Sequence, residues 1–115
     1  MKYLQYKGYT GSIEYSQEDD LLYGSVLGIK SLISYEGLTG GALYEDFKAA
    51  VDAYLSTCED QGIQAEKPFK GSFNVRLSSK LHEKAALLAM ETKTSLNAFV
   101  AEAIRMRVAK EMKEV

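Results

Sequence analysis

Residues 72–77 restrict the possible folds of this chain more than any other segment. Their side chains alternate, so apolar residues at 73, 75 and 77 share one face of a strand and polar residues at 72, 74 and 76 share the other. The N–H and C=O groups of a strand need hydrogen-bonding partners, and no hairpin partner lies next to this segment in the sequence. The simplest partner is the same segment of a second copy, which predicts a homodimer joined by an antiparallel two-stranded ribbon.

Two segments with helical periodicity follow the predicted strand. Ser78 or Ser79 can cap the first helix, and Ser95 is the predicted cap of the second. The strand and helices form a βαα unit, in which one face of the ribbon is buried on the four helices of two copies. The second helix has the most regular apolar spacing in the chain: Leu96, Phe99, Val100, Ala103, Ile104 and Val108. The predicted dimer core contains apolar residues of the strand and of this helix: Phe73, Val75, Leu77, Leu96, Phe99 and Val100.

The other face of the ribbon displays Asn74 and Arg76 twice. A two-stranded ribbon fits the major groove of B-DNA, where asparagine can bond an adenine edge and arginine a guanine edge. An amphipathic edge strand with a merely solvated polar face would show the same alternation. The two helices and the charge distribution favour the DNA-binding interpretation.

Charge divides the chain into two unlike parts. Residues 1–65 carry four lysines and ten acidic residues, a net charge of −6, whereas residues 66–115 carry ten basic and six acidic residues, a net charge of +4. The two parts together give the net charge of −2 of the whole chain. A basic C-terminal half suits a polyanion, and an acidic N-terminal half suits a basic protein partner.

The N-terminal half is predicted to form three strands and a helix. Alternation over residues 9–16 and apolar runs at 22–29 and 32–35 indicate a three-stranded antiparallel meander. Apolar residues recur at helical spacing between Leu43 and Cys58, and Gly62 supplies a stop. These elements predict a βββα domain over residues 1–62. A linker at 63–71, which contains the only proline, separates it from the second domain at 72–115.

Candidates for enzyme chemistry are few. His82 is the only histidine and Cys58 the only cysteine, so neither a catalytic pair nor a histidine metal site is expected. A hairpin places carboxylates at Glu14, Glu18, Asp19 and Asp20, but a solvated turn explains them, and the sequence predicts no metal and no cofactor. No long apolar run and no signal sequence is visible, and a single cysteine fits a reducing compartment, so a cytoplasmic protein without membrane contact is predicted.

The start of the last helix is a candidate phosphate site. If Ser95 caps this helix, the N–H groups of Leu96 and Asn97 point outward at the positive end of the helix dipole. In a ribbon dimer this helix end flanks the ribbon, so it would bind the DNA backbone beside the groove. Simple capping would occur in either case.

Two stretches of the C-terminal half carry a family resemblance: KPFKGSFNVRLSSKLHEKAA at 67–86 and SLNAFVAEAI at 95–104. Together they contain a strand, a hydroxyl cap, Leu-His, an alanine-rich helix and then Ser-Leu-Asn. In this order of features they resemble HicB-type antitoxins with a C-terminal ribbon-helix-helix domain of the Arc and MetJ kind. The N-terminal half is similar to the HicB βββα domain, a truncated RNase H-like fold. The resemblance implies an α+β protein that dimerises through the strand of its ribbon-helix-helix domain.

The resemblance also implies a function without enzymatic activity. The N-terminal domain would neutralise a HicA-type toxin that cleaves mRNA, and the C-terminal domain would repress the operon by binding palindromic half-sites in its operator. The base-reading positions of the family correspond to Ser72, Asn74 and Arg76, and its backbone-binding position to Ser95 with Asn97. A homodimer is expected, and a higher oligomer is compatible with the sequence.

Three other interpretations fit parts of the sequence. The protein could be a stand-alone repressor whose N-terminal domain senses a small molecule or oligomerises. It could be a metal-dependent nuclease that uses the N-terminal carboxylates. It could also bind DNA with a helix-turn-helix over residues 79–108, in which case Asn74 and Arg76 would contribute little.

Overall fold

The computed structural model describes residues 2–113, which divide into an N-terminal and a C-terminal unit between Ser72 and Phe73. Within the described residues there are five strands in two antiparallel sheets and three helices. The predicted α+β class is therefore confirmed. No helix among these residues combines the length and the apolar character that crossing a membrane requires.

The N-terminal unit begins with a tight hairpin. Strands β1 (Leu4–Tyr6) and β2 (Tyr9–Gly11) pair antiparallel. The two residues between them, Lys7 and Gly8, have positive φ angles of 50° and 83°, as a type I′ turn requires. A second sheet contains β3 (Glu14–Ser16), β4 (Leu21–Ser25) and β5 (Ser34–Gly37) in that order.

The predicted strand at 9–16 is wrong as a single element, because it breaks between β2 and β3. The carbonyl oxygen of Ser12 accepts a hydrogen bond of 2.7 Å from the Tyr35 hydroxyl. Gly24 makes this approach possible, since a Cβ atom at that position would lie 2.0 Å from the same oxygen. The Ser12 N–H still donates to the Ser25 carbonyl at 3.0 Å, so the two sheets stay connected where the chain passes from one to the other.

The predicted strands at 22–29 and 32–35 are also displaced. β4 ends at Ser25, with one further bridge between Gly11 and Val26, and β5 begins only at Ser34. Residues 27–33 form a loop instead, in which Gly28 has a positive φ of 78°. The segment has the apolar composition of a strand, which explains the prediction, but it forms a partly exposed loop.

Helix α1 (Gly40–Asp60) forms the core of the N-terminal unit and confirms the predicted helix. Thr39 caps its start, where the Thr39 hydroxyl accepts from the Ala42 N–H at 3.0 Å. The most deeply buried side chains lie on this helix at spacings of four residues, and they pack with strand residues into one cluster: Leu43, Phe47, Val51, Tyr9, Val26 and Tyr35. Burial raises the pKa of Tyr35 to about 12. Cys58 is buried on the same helix, as its apolar position predicts.

Specific hydrogen bonds satisfy backbone groups at the end of α1 and at the free edge of β5. At the end of α1, the Ile63 N–H donates to the Cys58 carbonyl and the Gly62 N–H to that of Glu59, with Gly62 at a φ of 68°. At the free edge of β5, the Glu36 N–H donates to the Asp46 carboxylate at 2.9 Å. Residues 63–71, the predicted linker, belong to the N-terminal unit and are hydrogen-bonded to it.

The C-terminal unit contains helices α2 (Ser79–Glu91) and α3 (Leu96–Lys113). Of the two predicted caps for α2, Ser78 takes the role, because its hydroxyl accepts from the Leu81 N–H at 3.2 Å. α2 ends in the same type of hydrogen-bonded turn as α1, but here the residue with positive φ is Lys93, at 57°. Among residues 73–112, Ala89 is the only buried hydrophobic residue.

Residues 72–77 form no hydrogen-bonded ladder with any other residue between 2 and 113. A ladder requires a second strand, and the one predicted for this segment belongs to another copy of the protein. The intermolecular ribbon therefore stays a prediction.

Candidate nucleic-acid interface

The polar side chains at 72, 74 and 76 are free to contact another molecule. Ser72, Asn74 and Arg76 are exposed, and none makes a side-chain hydrogen bond or an ion pair with the residues at 2–113. Ser72 ends the N-terminal unit, whereas Asn74 and Arg76 belong to the C-terminal unit. The amide of Asn74 and the guanidinium of Arg76 therefore keep the donor and acceptor groups that base edges can bond.

The apolar side chains of the same segment lie in an unfavourable environment. Phe73 is 76% exposed, Val75 56% and Leu77 45%. Three large apolar side chains at alternating positions, next to a unit this small, form a surface of the kind that proteins bury against partners. Their exposure in the single chain is what a ribbon that pairs with a second copy requires.

The rest of the predicted dimer core is only partly covered within one chain. Phe99 and Val100 are half-buried and Leu96 is exposed at the first turn of α3. Leu81 and Leu88, which are on the predicted apolar stripe of α2, are about half exposed. The two helices thus cover one another incompletely, and each leaves apolar area that a second copy can bury.

Ser95 caps α3 as predicted. Its hydroxyl accepts from the Ala98 N–H at 3.0 Å, and its carbonyl accepts from the Phe99 N–H at 2.9 Å. The N–H groups of Leu96 and Asn97 donate to no acceptor within residues 2–113. These two donors lie at the positive end of an 18-residue helix, where an anion is favoured.

The positive charge of the C-terminal unit is concentrated on side chains without an acidic partner. Two arginines of α3 are paired along the helix, Arg105 with Glu102 and Arg107 with Glu111. Other basic side chains are exposed and form no ion pair within the described part of the chain: Arg76, Lys80, Lys84, Lys93 and Lys110. Unpaired, exposed cations can neutralise phosphates and release counterions.

The N-terminal carboxylates are not assembled as a metal site. The Asp20 carboxylate accepts a hydrogen bond from the Tyr15 hydroxyl at 2.9 Å. The Asp19 carboxylate accepts one from the Ser16 hydroxyl at 3.5 Å. Across residues 2–113, no three histidine, cysteine or acidic side chains converge at a distance that would hold a metal ion. His82 is exposed on α2. The geometry therefore gives the nuclease interpretation no support.

Comparison with known proteins agrees with the sequence resemblance over part of the chain. A model described as the HicB family matches residues 54–104, a little under half of the chain, from the last turns of α1 into α3. No curated protein and no solved structure matches. Over residues 54–104 the chain is therefore similar to the HicB family, and this similarity supports a HicB-type antitoxin.

Proposed function

We propose that this protein is a HicB-type antitoxin with two binding activities. Its N-terminal unit neutralises an mRNA-cleaving toxin of the HicA type, and its C-terminal unit forms a ribbon-helix-helix dimer that represses the operon. The proposed DNA binding rests on one observation, the exposure of the segment at 72–77. Its apolar side chains at 73, 75 and 77 and its polar side chains at 72, 74 and 76 are all exposed.

In this proposal Ser72, Asn74 and Arg76 of both copies enter the major groove and contact base edges. Pairing of the two strands buries Phe73, Val75 and Leu77 and turns the polar side chains to the opposite face. The dimer has two-fold symmetry, so the operator contains palindromic half-sites. Ser95, Leu96 and Asn97 bind phosphates beside the groove, through the N–H groups that the helix itself does not use.

The outer face of the second sheet is the surface that best suits a basic toxin. The registers of β3, β4 and β5 place Glu14, Tyr23 and Glu36 in one row across the sheet. Glu14 and Glu36 are exposed, and no basic side chain lies within this row. A toxin that binds RNA carries positive charge, so carboxylates on this face would accelerate association and complement its surface.

The test of the DNA-binding half is fluorescence anisotropy with the DNA immediately upstream of the gene. Replacing Arg76 by alanine is expected to weaken binding to the specific site by about 1–3 kcal/mol and to relax specificity at one base pair per half-site. Arg105→Ala is the matched control, because it removes the same charge from an arginine that is already paired with Glu102. A salt series separates specific from non-specific affinity.

Equal affinities of wild type, Arg76→Ala and Arg105→Ala for this DNA would show that residues 72–77 do not read bases. The helix-turn-helix interpretation would then be preferred. The toxin-binding half is tested separately, by co-expression with any small basic protein encoded beside the gene and measurement of growth. Rescue of growth by the wild-type chain supports the antitoxin, and its absence favours a stand-alone repressor.

The stand-alone repressor is the second candidate because the N-terminal unit contains a cavity of about 590 Å³. A cavity of this size can hold a small molecule. In that case DNA binding would respond to a small ligand and no neighbouring toxin would be found.

A further inference from the structure

Glu66 lies in the segment predicted to be a linker, yet its side chain is firmly hydrogen-bonded to the N-terminal unit. Its carboxylate accepts from the N–H of Lys30 at 2.7 Å, the N–H of Ser31 at 3.1 Å and the hydroxyl of Ser31 at 2.7 Å. The Tyr54 hydroxyl lies 3.4 Å from the same carboxylate. These hydrogen bonds, with the Ser31 hydroxyl first, hold the pKa of the Glu66 carboxyl below its usual value.

The main chain around Glu66 is fastened as well. The Glu66 N–H donates to the Tyr54 hydroxyl at 2.9 Å, and the Tyr9 hydroxyl donates to the Glu66 carbonyl at 2.7 Å. Three residues later, the Phe69 N–H donates to the Gly28 carbonyl at 2.9 Å, and the Phe69 ring fills the space where a Gly28 side chain would be. Residues 64–71 are thus held at two points of the same loop.

The loop at 28–31 has the features of an anion-binding site. Gly28 turns the chain at a positive φ of 78°, and the N–H groups of Lys30 and Ser31 then donate to the two oxygens of one carboxylate, Oε1 and Oε2 of Glu66. Successive N–H groups that converge in this way form a concave site for anions, as in phosphate-binding loops. In this chain the bound anion is the protein's own carboxylate.

The cavity of about 590 Å³ opens beside this loop and has room for a larger anion. Its lining includes Gly28, Lys30, Glu66, Lys67 and Lys70. None of the three lysines forms an ion pair within the described residues. Lys30, Lys67 and Lys70 bring three positive charges to the lining of this cavity, and such a lining attracts an anion with two charges more strongly than an anion with one.

We propose that the loop at 28–31 is an oxyanion-binding site that Glu66 occupies as a built-in ligand, and that a small molecule bearing a phosphate group competes with Glu66 from the cavity. Entry of the phosphate removes the side-chain anchor of residues 64–71 and thereby loosens this segment, which leads directly into residues 72–77. This inference does not depend on the antitoxin assignment.

Inorganic phosphate is the probe, added to the full-length chain with chloride at equal ionic strength as the reference. We expect the amide resonances of Lys30 and Ser31 to shift in a saturable way, and Glu66→Ala to bind phosphate at least about tenfold more tightly than wild type, because the internal competitor is gone. Glu59→Ala is the matched control: it removes an equal charge from an exposed side chain on α1 and should bind phosphate like wild type.

The direction of this change distinguishes a competing ligand from simple damage, since damage would not raise affinity. If Glu66→Ala does not fold, Glu66→Gln keeps the size of the side chain and must still bind phosphate more tightly than wild type. Equal affinities of wild type and these variants, or shifts spread evenly over exposed lysines, would overturn the proposed site.

Trypsin tests the loosening of the segment. Lys67 precedes proline and resists cleavage, so Lys70 is the cleavable position within residues 64–71. We expect phosphate to accelerate cleavage after Lys70 in wild type, and Glu66→Ala to be cleaved rapidly without phosphate. Unchanged cleavage of a phosphate-saturated wild type would show that the anion binds without displacing Glu66, which would overturn the competition.

Discussion

The two units of this chain solve the problem of burying apolar area in opposite ways. In the N-terminal unit Phe47 and Val51 are fully buried between one helix and the strands. In the C-terminal unit Phe73 is 76% exposed although its side chain is equally large and apolar. One unit closes its core with its own residues, and the other exposes the apolar residues of the proposed dimer core.

This difference identifies the segment that the proposed dimer would bury. Burying one large apolar side chain stabilises a protein by about 1.5–3 kcal/mol, so the three apolar residues of the segment at 72–77 in two copies offer on the order of 10 kcal/mol before the costs of association. In the N-terminal unit, helix α1 exposes no large apolar side chain to a comparable extent, although Leu32, Leu38 and Phe69 outside this helix are 86%, 78% and 70% exposed. Pairing of the segment at 72–77 is therefore expected to stabilise the C-terminal unit, to which most of the segment belongs, more than the N-terminal unit.

The largest expected effect is loss of the dimer in Val75→Lys. The substitution places two ammonium groups in the predicted ribbon core, which should cost more than about 5 kcal/mol per dimer. Sedimentation equilibrium measures the oligomeric state. Asn74→Lys is the control, because it puts the same side chain on the opposite face of the predicted strand. A dimer that persists in Val75→Lys would show that the assigned strand faces are wrong.

Phe47→Ala is expected to destabilise the N-terminal unit by about 3–5 kcal/mol, through loss of buried area and the cavity left beside Tyr35. Chemical denaturation followed by resolved amide signals of β4 and α1 measures this free energy. Phe69→Ala removes a ring that is 70% exposed and should cost much less. If Phe47→Ala also dissociated the dimer, the two units would not be independent in stability.

A third prediction concerns pH and the segment at 64–71. The pKa of Glu66 is lower in the folded chain than in the unfolded chain, so its stabilising contribution is complete above the ordinary pKa of a glutamate carboxyl and is lost as pH falls through the folded pKa. Hydrogen exchange at Lys30 and Ser31 should be about tenfold faster in Glu66→Gln than in wild type near neutral pH. This difference should disappear once Glu66 is protonated in wild type; a difference that grew with acidity would contradict the assignment.

The smallest expected effect compares the ends of α1 and α2. Both helices end in the same hydrogen-bonded turn, but the residue with positive φ is Gly62 in one and Lys93 in the other. Lys93→Gly should stabilise the C-terminal unit by up to about 1 kcal/mol, and Gly62→Lys should destabilise the N-terminal unit by about the same amount. Thermal unfolding measures both, and equal signs for the two substitutions would refute the explanation.

Local signals in the sequence were sufficient for the helices. The hydroxyl groups of Ser78 and Ser95 precede apolar residues at helical spacing, and each caps the predicted helix. The apolar stripe from Leu43 to Cys58 likewise lies on one helix face that is buried. Capping and periodicity involve residues within one or two turns of each other, so they can be recognised from sequence alone.

The strands and the attachment of Glu66 depend on distant residues. The strand breaks at Ser12 because its carbonyl accepts a hydrogen bond from the Tyr35 hydroxyl. Gly24, which has no side chain, leaves room for that carbonyl. Glu66 lies among residues typical of a linker, yet its hydrogen-bond donors come from Lys30 and Ser31, more than thirty residues earlier. Neither arrangement leaves a periodic signal in the sequence.

The hydrogen bond from the Glu36 N–H to Asp46 has a consequence for solubility. β5 is the last strand of its sheet, and an unpaired edge strand is a template on which other chains can add strands and aggregate. Asp46 occupies one outward-facing donor of this edge and places a carboxylate beside it. A dimer would carry two such edges at high local concentration. The Asp46 carboxylate would then oppose edge-to-edge association of β5 strands, and so oppose aggregation, where the edges are closest together.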